Sequence, residues 1–281
     1  MSQPLIKDRI PRDEWVEPGH LACPGCGGAL ALRLVLKGLG EKTVVVLPDC
    51  CRADAVGPHP HPALRVPVFP VAAETAAATA AGVRAALAAR GDDDTTVLAW
   101  AGAGGLGDVG LQALAAAAER DDDILCCCFD DGAYASPGTP RARPQPDLLA
   151  ILAAHGAPYA ATACVAYPED LLAKVRKAKA VRGARFLQIL APCPPGWESD
   201  DDATIALGRL AVQCRAFPLV EVEDGERWRF TVEHAGTPVS EYVRRQGRFG
   251  HLGDADLARL QQQVDARWQK LERRVRLSAE P

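Results

Sequence analysis

The chain has 281 residues, 48% of them hydrophobic, enough to bury one large core or a core with a small appendage. Charged residues make up 24% and the formal net charge is −4, without the basic patch that a nucleic-acid or anionic-membrane partner would leave. The first residues, MSQPLIKDRIPRDEWVEP, lack the apolar region of a secretory signal. No uncharged apolar run reaches the roughly 18 residues that span a bilayer. A cytoplasmic protein with neither membrane nor nucleic-acid partner is expected.

Residues 1–18 are polar and Pro-containing and read as an extended arm. Cys23-Pro-Gly-Cys26-Gly-Gly then leads into a helix from Ala29 to Leu39, which ends at Gly40 as a C-cap. Thr43 to Leu47 is a β-branched run of the kind that forms a buried parallel strand, and it runs into Pro48-Asp49-Cys50-Cys51. The His-Pro repeat through His59 and His61 can only be loop. Val66 to Val71 is a second strand, Glu74 to Arg90 an Ala-rich helix, and Thr95 to Trp100 a third strand. Gly102-Ala103-Gly104-Gly105 forms a turn before a helix from Asp108 to Arg120. Ile124 to Phe129 is a strand, and Gly132 to Pro146 is rich in Gly and Pro. A helix from Leu148, a strand from Ala160, a helix from Pro168 to Ala180 and a strand from Arg185 to Leu190 follow. Strands alternating with helices indicate βαβ units and a parallel sheet. The tail changes character: a hairpin around Asp224-Gly225 is followed by a charged helix from about Asp254 to Leu277.

Ten cysteines exceed what a core needs, and their placement separates them. Cys23 and Cys26 have the spacing of two ligands on one centre, which zinc, a redox dithiol and an iron–sulfur cluster all fit. Cys51 and Cys193 each follow a strand, and in an open parallel sheet those strand ends share one edge, where ligands gather. The alternative for Cys50 and Cys51 is core filling, since free cysteine is often buried. Cys126, Cys127 and Cys128 lie inside a strand, where neighbouring side chains point to opposite faces, so they read as structural. Cys164 and Cys214 read the same way. His20 is expected to order the loop before Cys23, and His59 and His61 to be exposed. Lys174, Lys177 and Lys179 read as a solvated helix face. Glu74 is expected at a helix N-terminus.

The turn at Gly102 follows a strand and precedes a helix, which suits a phosphate. It is neither a dinucleotide fingerprint nor a Walker loop, because the acidic ribose position and the GK[ST] ending are absent.

Several ordered segments resemble one family, the β subunit (thiamine-diphosphate domain) of 2-oxoacid:ferredoxin oxidoreductases of the pyruvate synthase type. They include GHLACPGCGGALALRLVLKGLG, VLPDCC, FPVAAETAAATAAGVRAAL, the Gly102 turn, HGAPYAATACVAYPEDL, ILAPCPPGW, LAVQCRAFPLVEVEDG and QGRFGHL. The resemblance implies a thiamine-diphosphate-binding α/β fold, with a mostly parallel sheet flanked by helices and a C-terminal hairpin and helix. It implies a [4Fe-4S] cluster on Cys23, Cys26, Cys51 and Cys193, and thiamine diphosphate held with Mg²⁺ near Gly102, Ala103, Gly104, Asp131 and Ala133. The implied reaction is oxidative decarboxylation of a 2-oxoacid, in either direction. Coenzyme A, ferredoxin and α-, γ- and δ-type subunits are the implied partners. Residues 19–215 would carry the cofactors, with 216–281 as a C-terminal extension.

The departures from the family cluster in one place. Where the family has a Gly-Asp-Gly turn whose Asp binds Mg²⁺, this chain has Ala103, and at the second Mg²⁺ position Asp131 replaces Asn. Ser136 occupies the position of an Asn near the reaction centre, and the loop from Thr139 to Pro146 is shorter than the family's. Two functions follow as expectations: a working enzyme subunit, or a non-catalytic paralogue that carries the cluster for electron transfer beside a degenerate thiamine site.

Overall fold

The computed structural model describes residues 10–48, 56–57, 62–132 and 147–279. Eight strands form one sheet in the order β2-β1-β3-β4-β6-β5-β7-β8. They are β1 (Thr43–Pro48), β2 (Val68–Val71), β3 (Thr96–Gly102), β4 (Leu125–Asp130), β5 (Tyr159–Cys164), β6 (Arg185–Leu190), β7 (Val220–Glu223) and β8 (Arg227–Phe230). The first six run parallel, while β7 and β8 add an antiparallel hairpin beside β5. This is the expected mostly parallel α/β sheet with its C-terminal hairpin. The physical cause is visible in β3 to β6, where almost every residue is buried because helices cover both faces.

Two helical layers sandwich the sheet. On one face lie α1 (Gly27–Leu39) and α5 (Pro168–Ala180). Leu32, Leu36, Leu171 and Val175 pack there with Leu98, Trp100, Cys127 and Phe129. On the other face lie α2 (Ala76–Ala89), α3 (Leu111–Glu119) and α4 (Leu148–Ala154), packed with Val97, Ala99, Cys126 and Cys128. Cys126 and Cys128 therefore face one layer and Cys127 the other, as strand geometry requires. All three are buried, and burial raises each thiol pKa, to about 12 for Cys126. Trp100 and Phe129 meet at 5.6 Å between ring centroids. Burying a side chain of that size contributes about 1.5–3 kcal/mol. Cys164 and Cys214 are buried as well, in keeping with structural roles.

The remaining helices close one end of the sheet: α6 (Pro194–Trp197), α7 (Thr204–Gln213), α8 (Val239–Val243) and α9 (Asp254–Ser278). Helix α9 docks on β8 through Trp268, whose ring stacks on Phe230 at 4.6 Å. Among the described residues no helix is long and apolar enough to cross a membrane.

Two local expectations change. The helix expected from Asp108 begins at Leu111, because a π-helical turn over Gly105–Val109 comes first. Of the lysines of α5 expected on a solvated face, Lys179 is exposed, but Lys174 is buried and Lys177 half-buried. Lys174 is 2% exposed and donates to Thr162 O at 2.8 Å, Asp170 Oδ2 at 2.6 Å and Thr231 Oγ1 at 2.7 Å. Lys177 bonds Glu221 and Glu223, and Lys179 reaches Leu39 O. Strand β5, β7 and the segment after β8 pack over Lys174 and Lys177, so those two ammonium groups exchange water for protein oxygens.

Candidate functional site

The C-terminal ends of β3, β4 and β6 meet on one edge of the sheet. Gly102 ends β3 beside Phe129 of β4, and Asp130 at the end of β4 pairs with Leu190 at the end of β6. The sequence-predicted residues Gly102, Ala103, Gly104, Asp131 and Cys193 therefore all lie on this edge. Cys51, Ala133 and Ser136 fall outside the described residues, as do His59 and His61.

The loop before α1 reaches the same edge. Cys26 is its N-cap, with Sγ accepting from Ala29 N at 3.4 Å. The next residue, Gly27, donates its N–H to Pro192 O at 3.0 Å, which joins this loop to the segment that carries Cys193. A Cβ at Gly27 would lie 2.5 Å from Pro192 O, so glycine is required by the approach. A side chain at Gly25, which has φ +68°, would collide with the backbone of Asp201, and Thr204 Oγ1 donates to Gly25 O. Cys23 is exposed, while Cys26 and Cys193 are half-buried. His20, three residues before Cys23, has a buried Nδ1 without a hydrogen-bond partner among the described residues. Among those residues, no three His, Cys, Asp or Glu side chains converge as a metal site. Cys26 and Cys193 stand on two loops joined by a backbone hydrogen bond, and thiol sulfur suits an iron–sulfur centre rather than a hard oxygen-seeking cation.

The glycine-rich turn has a different explanation for most of its glycines. A Cβ at Gly102 would lie 3.0 Å from the Phe129 ring, one at Gly107 would meet Leu148, and one at Gly110 would overlap the carbonyl of Gly105. The turn coils against the 3-10 turn at Ala73–Thr75, since a Gly105 Cβ would lie 3.4 Å from Ala73 O. Gly104 is exposed and Ala103 half-buried. Glu74 sits in that 3-10 turn and is exposed.

Beyond β4, the Asp130 carboxylate is 4% exposed, accepting from Gln188 Nε2 at 2.7 Å and Gly132 N at 2.9 Å. Burial raises its pKa against those two hydrogen bonds. Asp131 is half-buried, and its backbone carbonyl accepts from Trp197 Nε1. Ala103 lacks a side-chain oxygen, and the Asp130 carboxylate is engaged within the fold. That set does not fit the family's Mg²⁺ site, which uses oxygen ligands from both turns.

Residues that sequence reasoning left without a role complete the edge. Arg248 donates through Nη1 to Gly132 O at 2.8 Å, and through Nε and Nη2 to Gln246 Oε1 at 3.0 and 2.7 Å. Its guanidinium lies 4.6 Å from the centroid of the Trp197 ring. Trp197 N in turn donates to Cys193 O at 2.8 Å. The signal was present in the sequence as the segments ILAPCPPGW and QGRFGHL, but nothing local links Arg248 to Gly132, 116 residues away.

Residues 70–189 match the family described as "Thiamine pyrophosphate enzyme, C-terminal TPP binding domain". Pyruvate synthase subunit PorB of Methanothermobacter thermautotrophicus is 42% identical, over 94% of this chain and 99% of its own length. Ketoisovalerate oxidoreductase subunit VorB of Pyrococcus abyssi is 39% identical, over 94% of each chain. Among solved structures, a 2-oxoglutarate:ferredoxin oxidoreductase from Magnetococcus marinus superposes with TM-score 0.57 at 19% identity, covering 84% of this chain and 90% of that one. At that identity the likeness speaks for the fold. The thiamine-domain match ends at β6, so Cys23, Cys26, Cys193 and Arg248 all lie outside it.

Proposed function

The chain belongs to the family of pyruvate synthase and ketoisovalerate oxidoreductase B subunits, and from that membership we propose that it is the cluster-bearing subunit of a cytoplasmic 2-oxoacid:ferredoxin oxidoreductase. Cys23, Cys26, Cys51 and Cys193 would hold a [4Fe-4S] cluster, which supplies one-electron transfer between the reacting 2-oxoacid and ferredoxin. The single observation that carries this reading is the Gly27–Pro192 hydrogen bond, which joins the Cys26 and Cys193 loops at the strand-end edge. The Ala29 N–H on Cys26 Sγ adds a donor of the kind that lowers negative charge on a cluster sulfur.

Thiamine diphosphate binding is in keeping with the domain match over residues 70–189. Here the chain's own residues would contribute backbone around Gly102 and Gly104 and the carboxylate of Asp131; Ala133 and Ser136 stand on the segment that follows. The α-, γ- and δ-type subunits, coenzyme A and a 2-oxoacid complete the proposed assembly. A second reading, an electron-transfer subunit without turnover of its own, is favoured by Ala103, which withdraws a carboxylate from the diphosphate metal. Anaerobic purification with iron, sulfide and thiamine quantified together tests both. About four iron and four sulfide per chain are expected. Their absence overturns the cluster, whereas cluster without thiamine selects the second reading.

A further inference from the structure

A groove of about 1070 Å³ lies between α1, α5, α7 and the β7–β8 hairpin. Its lining includes neither the Gly102 turn nor a proposed cluster ligand. One wall starts where β5 ends. Val165 N donates to Leu190 O at 3.2 Å and Tyr167 N to Cys164 O at 3.0 Å, which holds the segment 165–168 over the ends of β5 and β6. In a parallel sheet ligands gather at those strand ends. Sites of about 300–1000 Å³ take organic ligands, so the groove has room for one.

Two kinds of surface meet in it. Leu34, Val165, Ile205, Phe230 and Val232 form an apolar wall, with Ile205 exposed on α7. The polar lining is ionic, and most of it is spent. Lys174 uses its three ammonium protons on Thr162 O, Asp170 Oδ2 and Thr231 Oγ1. Glu221, 2% exposed, accepts from Tyr159 Oη at 2.8 Å, Lys177 Nζ at 3.0 Å and Arg229 Nε. Of the lining carboxylates, Asp170 and Glu221 are thus paired with cations, and Glu169 is engaged as well. The spare capacity is in donors. Arg209 lies one turn after Ile205 on α7, is exposed, and forms no ion pair or hydrogen bond among the described residues. Arg229 meets Glu221 through Nε and Nη2, which leaves Nη1.

We propose that this groove binds an organic anion with an apolar chain, its carboxylate on Arg209 and the free edge of Arg229, its chain along Ile205, Phe230 and Val232. Charge-assisted bonds from a guanidinium to a carboxylate fix the head. The chain gains by leaving water. The site stands on its own residues and holds whether or not a cluster or thiamine diphosphate is bound.

The test follows octanoate binding by calorimetry, with the full chain alone and assembled with its partner subunits. Octanoate should saturate with a Kd below about 1 mM in both. Octanol has the chain without the charge, and inorganic phosphate the charge without the chain. Each should bind at least about tenfold more weakly. Arg209 and Ile205 are both exposed, so their variants keep the fold. Arg209→Gln and Ile205→Asp should each weaken octanoate about tenfold, while Arg209→Lys keeps the charge and should stay within about threefold. No saturation up to about 10 mM octanoate overturns the proposal. Unchanged affinity in both Arg209→Gln and Ile205→Asp overturns it too. Binding to the isolated chain that vanishes in the assembly gives the groove to a partner's surface, and likewise overturns it.

Discussion

The N–H of Gly27 donates to the carbonyl of Pro192 at 3.0 Å, and each residue adjoins a cysteine, Cys26 on one side and Cys193 on the other. A backbone bond across 165 positions thus sets the spacing of two proposed ligands before any metal arrives. Its geometry depends on the missing side chain of Gly27.

Gly27→Ala should accordingly damage both stability and cluster loading. The added methyl would lie 2.5 Å from Pro192 O, so the two loops must part. Overpacking of this kind costs about 1–3 kcal/mol. Iron per chain is expected to fall by more than half in the anaerobically purified variant. The control is Gly82→Ala on α2, where nothing lies within 4 Å and the substitution should stabilise by about 0.5–1 kcal/mol. Equal iron in Gly27→Ala and wild type would sink the idea that this junction positions the ligands.

Ala103→Asp places a carboxylate on the glycine turn where the family resemblance implies one. Mg²⁺-dependent affinity for thiamine diphosphate should rise about tenfold or more, read by calorimetry with and without Mg²⁺. An unchanged affinity would show that the turn, which packs against Ala73, does not present position 103 to the diphosphate.

Lys174→Met removes a buried ammonium that serves three oxygens on β5, α5 and the segment after β8. The Asp170 carboxylate and the Thr162 carbonyl would be left without that donor. A loss of about 3–5 kcal/mol is expected in urea unfolding, the range for breaking a buried pair by removing one partner. A loss below about 1 kcal/mol would mean that water reaches the site and substitutes.

His234 makes stability depend on pH. Its Nε2 accepts from Leu219 N at 3.0 Å, and its ring lies 4.8 Å from Trp268. Burial, then the charges of Arg215 and Lys174, lower its pKa from 6.5 to about 4. Below pH 6.5 the unfolded chain takes up a proton that the folded chain refuses until about pH 4. Stability should therefore fall as pH drops through that window, by about 1–2 kcal/mol after allowance for partial solvent access. Urea midpoints at pH 7 and 4.5 measure the slope, which His234→Gln should flatten. An identical slope in the variant would assign the acid sensitivity to other groups.

Most of the secondary structure was legible because burial leaves local periods. The runs Thr43–Leu47 and Arg185–Leu190 read as strands, and both are. The π-helical turn at Gly105–Val109 was not legible. It exists because Gly110 lets the backbone fold over the carbonyl of Gly105, a contact that a helix pattern does not encode. Lys174 and Lys177 of α5 misled for a related reason: a polar helix face looks the same whether water or neighbouring strands complete its hydrogen bonds.

What the sequence by itself determined is the alternation of strand and helix, the two-faced Cys126–Cys127–Cys128 run, and the cysteines that resemble a cluster set. These follow from side-chain period and from spacing along the chain. Only the tertiary structure decided the strand order that places β6 between β4 and β5, the joining of Gly27 to Pro192, and the seating of Arg248 on Gly132 and Trp197. Those contacts depend on packing between segments far apart in the chain, where local composition is silent and the fit of backbone against backbone is what selects the partner.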